Sequence, residues 1–79
     1  MDLLDIEIPV VDVAATGEMI NKLRKEAGLS IRDIQEVMGF STPMAIYKWI
    51  WGKSMPTVDH LVILSALFNT SLDNIVVYY

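Results

Sequence analysis

The sequence predicts an all-α domain, and three observations predict it. First, helix ends are punctuated three times in the same way, by Ala27-Gly28-Leu29-Ser30, by Gly39-Phe40-Ser41-Thr42-Pro43 and by Trp51-Gly52-Lys53-Ser54-Met55-Pro56-Thr57. In each, a Gly supplies a left-handed residue just past one helix, and a Ser or Thr soon afterwards caps the next. Second, the apolar residues between these turns recur at helical spacing. Third, 79 residues with a hydrophobic fraction of 53% suffice for one small core and no second one.

The elements follow in order. A first helix is expected from about Gly17 to Ala27, with Thr16 as N-cap and Glu18 in the first turn, where the helix dipole favours an anion. Ile20, Leu23 and Ala27 form its inner stripe. A second helix runs from about Ile31 to Met38. Ser30 caps it, Asp33 completes a short relative of the capping box, and Ile34, Val37 and Met38 face inward. A third begins near Pro43, a residue suited to the first helical position, with Thr42 as cap. Its buried face is Ala45, Ile46 and Trp49, and Gly52 ends it. Pro56-Thr57 opens a fourth helix reaching Phe68, apolar nearly all round and therefore central. Asn69 ends it, and Ser71 caps a short fifth helix through Leu72 and Ile75.

The two ends read differently. Residues 1–15 form an N-terminal arm, extended or disordered, ahead of a helical domain over 16–79. Ile6, Ile8 and Val10 alternate with Glu7 and Pro9, the pattern of a short strand, and Pro9 confines it to an edge. Ile75-Val76-Val77-Tyr78-Tyr79 is also β-prone. Short β segments at the termini would pair with each other or with a second subunit.

Composition narrows the function. There is no Cys, so thiolate metal sites are excluded. His60 stands alone, without a second ligand at a useful spacing, and is expected in solvent; no metal or cofactor is expected. Leu61 to Phe68, the longest apolar stretch, is far short of the ~20 residues that span a bilayer. The Met1-Asp2 start lacks a basic leader, so the expected location is cytoplasmic, with no membrane partner. No nucleophile motif or phosphate-cradling loop is present, and so small a domain leaves little room for a pocket, which argues against an enzyme. The net charge is −4, yet all six cations, Lys22, Arg24, Lys25, Arg32, Lys48 and Lys53, lie between positions 22 and 53. Only Glu26, Asp33 and Glu36 oppose them there, which leaves that segment at +3. Such asymmetry suggests one basic face on an acidic body.

Short helices joined by tight glycine turns are how a helix-turn-helix unit is built. Gly17-x-x-Ile20-x-x-Leu23-Arg24-x-x-x-Gly28-Leu29-Ser30, then Gly39-Phe40-Ser41, Ile46-Tyr47-Lys48-Trp49 and Gly52-Lys53-Ser54-x-Pro56 resemble the phage-repressor (Cro-like, XRE) helix-turn-helix family. Leu61-x-x-Leu64-Ser65-x-Leu67-Phe68-Asn69-Thr70-Ser71-Leu72-Asp73-Asn74-Ile75 continues the match, which covers roughly residues 17–76. The resemblance implies a compact five-helix, lambda-repressor-like bundle. It implies sequence-specific binding of double-stranded DNA by a transcriptional regulator, with the third helix (about 43–51) in the major groove. Carried over by position, Ile31, Pro43, Met44, Tyr47 and Lys48 would face bases. Ser30, Ser41, Thr42 and Lys53 would face phosphates, with Arg24, Arg32 and Ser54 near them. Family members usually bind as dimers; a homodimer here would use Ile75 to Tyr79 or the N-terminal arm.

The chain also departs from the family. Ile31 stands where Gln is frequent, Pro43 and Met44 where polar residues are frequent, and Trp51 where a polar or basic residue usually precedes the glycine. Ile50 replaces a common Glu that pairs with an Arg of the first helix, here Arg24. A second function class follows: the same fold serving as a protein-interaction module through the apolar face Met44, Tyr47, Ile50 and Trp51.

Overall fold

A computed structural model describes residues 3–79. Met1 and Asp2, the start of the expected arm, lie outside the described residues. Four α-helices carry the fold: α1 Val13–Glu26, α2 Ile31–Met38, α3 Met44–Ile50 and α4 Val58–Phe68. Single 3-10 turns, Leu3–Asp5 and Leu72–Asn74, stand at the two ends. The expected fifth helix is thus one 3-10 turn, and Ser71 before it makes no side-chain cap bond.

All four helices end by one device. A residue with positive φ follows each: Gly28, Gly39, Gly52 and Asn69. The next amide then reaches back to a carbonyl five residues earlier: Leu29 to Arg24 (3.0 Å), Phe40 to Gln35 (3.1 Å), Lys53 to Lys48 (2.9 Å) and Thr70 to Ser65 (3.0 Å). This is the Schellman closure, and it satisfies carbonyls that a helix end would otherwise leave unpaired.

The helix starts are less uniform. Ser30 and Asp33 form a reciprocal capping box: the Asp33 amide donates to Ser30 Oγ (3.0 Å) and the Ser30 amide to the Asp33 carboxylate (2.8 Å). That amide and the Ser30 hydroxyl hold the Asp33 carboxyl below its ordinary value of 3.8. A depressed folded-state value means that this stabilisation is fully present above the unfolded value and is lost as pH falls through the folded one. Ser30→Ala is expected to destabilise the domain by about 1 kcal/mol at pH 7, with the difference shrinking as denaturant melts are taken to pH 3 and below.

Helix α1 begins four residues before the expected start. Asp12 is its N-cap and accepts from the Ala15 amide at 2.9 Å. Thr16, expected as the cap, is fully buried inside the helix. Its hydroxyl accepts from the Val77 amide (2.9 Å) and donates to the Val77 carbonyl (3.4 Å), so it clasps the C-terminal segment. Helix α3 starts one residue late: Pro43 sits at its N-cap, and Thr42 Oγ1 accepts from the Met44 amide at a long 3.4 Å.

The core is Ile20, Ile34, Ile46, Trp49, Leu61, Leu64 and Ile75. Each isoleucine or leucine buried there contributes about 1.5–3 kcal/mol of transfer free energy. Leu23, Met38, Ala45, Leu67 and Phe68 pack around it. Two expected inward residues are not there: Ala27 is the exposed C-cap of α1, and Val37 lies on the outer side of α2. Helix α4 is not buried all round, since Val58 and Val62 are exposed. His60 is half-buried rather than in solvent, because its ring meets Phe40 edge-on at 5.0 Å and lies 5.8 Å from Trp49.

Helix α1 packs chiefly on α3, and Gly17 makes the approach possible. A Cβ built there would fall 2.1 Å from the Trp49 carbonyl oxygen and 2.8 Å from that of Ile50. The described residues form no sheet. The ends meet in one antiparallel bridge, Val11 with Tyr78, flanked by bonds between Val10 and Tyr79 (2.6 and 2.9 Å) and from the Asp12 amide to the Val77 carbonyl (2.8 Å).

Candidate nucleic-acid interface

Helix α2, the turn Gly39–Pro43 and helix α3 form the unit on which the expected contacts fall. The turn is fixed from α2, since Gln35 Nε2 donates to the Phe40 carbonyl at 3.2 Å. Phe40 then packs edge-on against Trp49 at 5.9 Å, which ties the turn to the inner side of α3. With Ala45, Ile46, Trp49 and Ile50 toward the core, positions 44, 47, 48 and 51 share the opposite face.

That outer face carries Met44 (50% exposed), half-buried Tyr47, exposed Lys48 and Trp51 (59% exposed). Tyr47 and Trp51 stack, with ring centroids 5.3 Å apart and planes inclined at 23°. Trp51 stands outside the DNA-facing set implied by the resemblance. Its spacing of four from Tyr47 is the sequence signal that joins it to that face. Ile50, expected on the apolar outer face, instead packs against the core.

The other expected site residues are distributed as follows. Ser30 is exposed at the start of α2, its hydroxyl already accepting from Asp33. Ile31 is only half-exposed because it packs on the core. Ser41 and Thr42 are exposed on the turn, and Pro43 is half-buried. Arg32 extends into solvent and meets Glu36 at 3.4 Å. This is a surface pair of little energetic weight. Arg24 is already engaged: its guanidinium donates to the Leu29 carbonyl (2.8 Å) and to Asn21 Oδ1 (2.8 and 3.2 Å), so it secures the α1–α2 turn in place of the missing Glu. Lys53 is exposed, and its amide and that of Ser54 both return to the Lys48 carbonyl (2.9 and 3.3 Å), folding the post-helix turn against the end of α3.

Charge along this unit is uneven: α2 carries Asp33 and Glu36, whereas the run that follows carries no acid. Residues 37–58 contain no Asp or Glu, in a chain with ten acids. Their two cations, Lys48 and Lys53, form no ion pair among the described residues.

A family model described as Helix-turn-helix matches residues 20–75. The chain belongs to this family. The match begins at buried Ile20 and ends at buried Ile75, so it spans the core, the turn and α3. Membership places this helix-turn-helix domain among DNA-binding transcription regulators, of the Cro-like type, and not among enzymes. Solved structures that share its fold include the following two. One is the restriction-modification controller protein C.AhdI from Aeromonas hydrophila, with a TM-score of 0.70 and 16% identity over 81% of this chain and 96% of that one. The other is the DNA-binding domain of BldD, with a TM-score of 0.68 and 16% identity over 84% of this chain and 94% of that one. No curated protein matches the helix-turn-helix domain in sequence. None of its helices, among the described residues, is long and apolar enough to cross a membrane.

Proposed function

We propose that this helix-turn-helix domain binds double-stranded DNA sequence-specifically by laying the outer face of α3 in the major groove. A groove about 12 Å wide admits one helix. Met44, Tyr47 and Lys48 then meet base edges, with Pro43 and Ile31 beside them. Ser30, Ser41, Thr42 and Lys53 meet phosphates, and Arg32 joins them by leaving Glu36. The observation that carries the proposal is the acid-free run from 37 to 58, with two unpaired lysines at and just beyond the exposed face of α3. An acidic chain that carries no carboxylate along this run, which holds α3 and the turns on either side of it, presents there a stretch complementary to a polyanion, whatever its total charge. Arg24 is not among the proposed contacts, because its guanidinium is held within the fold by Asn21 and the Leu29 carbonyl.

A homodimer on a roughly two-fold site completes the proposal. Ile8, Val10, Tyr78 and Tyr79 are exposed around the terminal bridge and offer an apolar surface for it. Ile75 is fully buried and takes no part. A second reading has its own observation: Met44 and Trp51 are large apolar groups exposed on the unit itself, which also suits a protein partner.

The test is fluorescence anisotropy of the domain on pooled genomic DNA fragments across a salt series. The expected result is binding concentrated on a few fragments, with log affinity falling linearly in log salt by ~0.9 per phosphate neutralised. A folded protein that binds no fragment at low salt would overturn the DNA reading and favour a protein partner for Met44, Tyr47 and Trp51.

A further inference from the structure

We infer that this domain, given the DNA-binding reading on which the inference rests, selects its sites mainly through the C5-methyl groups of thymine. Between Ser41 and Lys53 there is no Arg, Asn, Gln, Asp or Glu. These are the side chains that recognise guanine, adenine and cytosine edges by paired or directed hydrogen bonds. Lys48 is the one charged group on the outer face of α3, and it suits a single guanine or a phosphate. The rest of that face is Met44, Tyr47 and Trp51. The thymine methyl is the one apolar group that a base pair presents in the major groove. Apart from Lys48 and the Tyr47 hydroxyl, this face therefore has one kind of base feature to contact.

The geometry favours Met44 as the principal reader. It is half-exposed in the first turn of α3, the end nearest the base edges when a recognition helix docks. Its unbranched thioether side chain adapts its shape to a methyl group without needing a hydrogen bond. Tyr47 is held against Trp51 by the ring stack, so its ring edge is presented in a fixed position one turn further along.

The experiment uses the best-bound fragment from the genomic pool, synthesised once with thymine and once with deoxyuridine at the same positions, so that only the methyl groups differ. Wild type and Met44→Ala are titrated on both duplexes. Met44 is exposed enough that the variant keeps the core intact. The expected result is a loss of about fourfold in affinity per contacted methyl on the uracil duplex. Much of that difference should disappear in Met44→Ala, with the salt dependence of both proteins unchanged. Equal affinity of wild type for the two duplexes overturns the methyl reading and leaves DNA binding standing. A uracil penalty of the same size in Met44→Ala overturns Met44 as the principal reader, and the same penalty in a Met44→Ala/Tyr47→Ala variant overturns the methyl reading, because it then comes from the duplex and not from this face. Absence of salt-dependent binding to any fragment removes the methyl reading together with the DNA reading.

Discussion

Gly17→Ala is expected to lower the thermal midpoint of the domain by roughly 10–20 °C, from a loss of about 2–3 kcal/mol at about 4–8 °C per kcal/mol for a domain of this size. Adding a Cβ to a helical glycine ordinarily stabilises by up to about 1 kcal/mol. Here the added atom would lie 2.1 Å from the Trp49 carbonyl oxygen, which is backbone and cannot rotate aside. Helix α1 must move off α3, and the Trp49 ring and Ile46 behind it lose their packing. Overpacking therefore wins over propensity. Circular dichroism melts of Gly17→Ala and of Ala15→Gly, a change elsewhere in the same helix, would separate the two effects. A midpoint for Gly17→Ala at or above wild type would show that α1 and α3 are not as close as described.

Lys48→Glu/Lys53→Glu is expected to weaken DNA binding roughly a hundredfold near 0.1 M salt, each lost charged contact counting about 1.5 kcal/mol. The salt slope should become shallower by about 1, at about 0.9 for the phosphate contact that Lys53 makes. Both side chains are exposed and unpaired among the described residues, so the melting temperature should stay within a few degrees of wild type. Unchanged affinity in the folded double variant would show that the lysines lie away from the DNA. Reversing Lys22, whose ammonium lies 3.9 Å from Glu26 on α1, is the control for general charge.

The parts of the fold legible in sequence are those set by local chemistry. Helix α2 runs from Ile31 to Met38 as expected because Ser30, Asp33 and Gly39 specify both ends within a few residues. The end of α4 at Phe68 is likewise written in Asn69. The start of α1 is not legible in this way. Thr16 before Gly17 has the form of a cap, yet both residues are there for partners distant in sequence, Val77 for one and the backbone of α3 for the other. Helical period gives the direction of a side chain but not what lies in that direction, which is why Val37 and Ala27 turn out exposed and Ile50 and His60 packed. In the candidate interface, spacing alone puts Met44, Tyr47 and Lys48 on one face. The engagement of Arg24 by Leu29 and Asn21 is invisible there, because the loss of a Glu partner does not say what replaces it.

The two hydrogen bonds between Val10 and Tyr79 bring positions far apart in the sequence side by side. From Val10 to Tyr79 the fold is therefore a circuit closed by hydrogen bonds, with the residues before Val10 outside it. Its helices meet through a cyclic order, and the place where that cycle is opened is not dictated by their packing. A circularly permuted chain of residues 10–79, with Tyr79 joined to Val10 by a short turn and cut in the exposed α1–α2 connection, would retain α2, the turn and α3 as one uninterrupted segment. In this architecture the helix-turn-helix unit is a stretch of the circle, and the junction between Val10 and Tyr79 is one of several places where the circle can be opened.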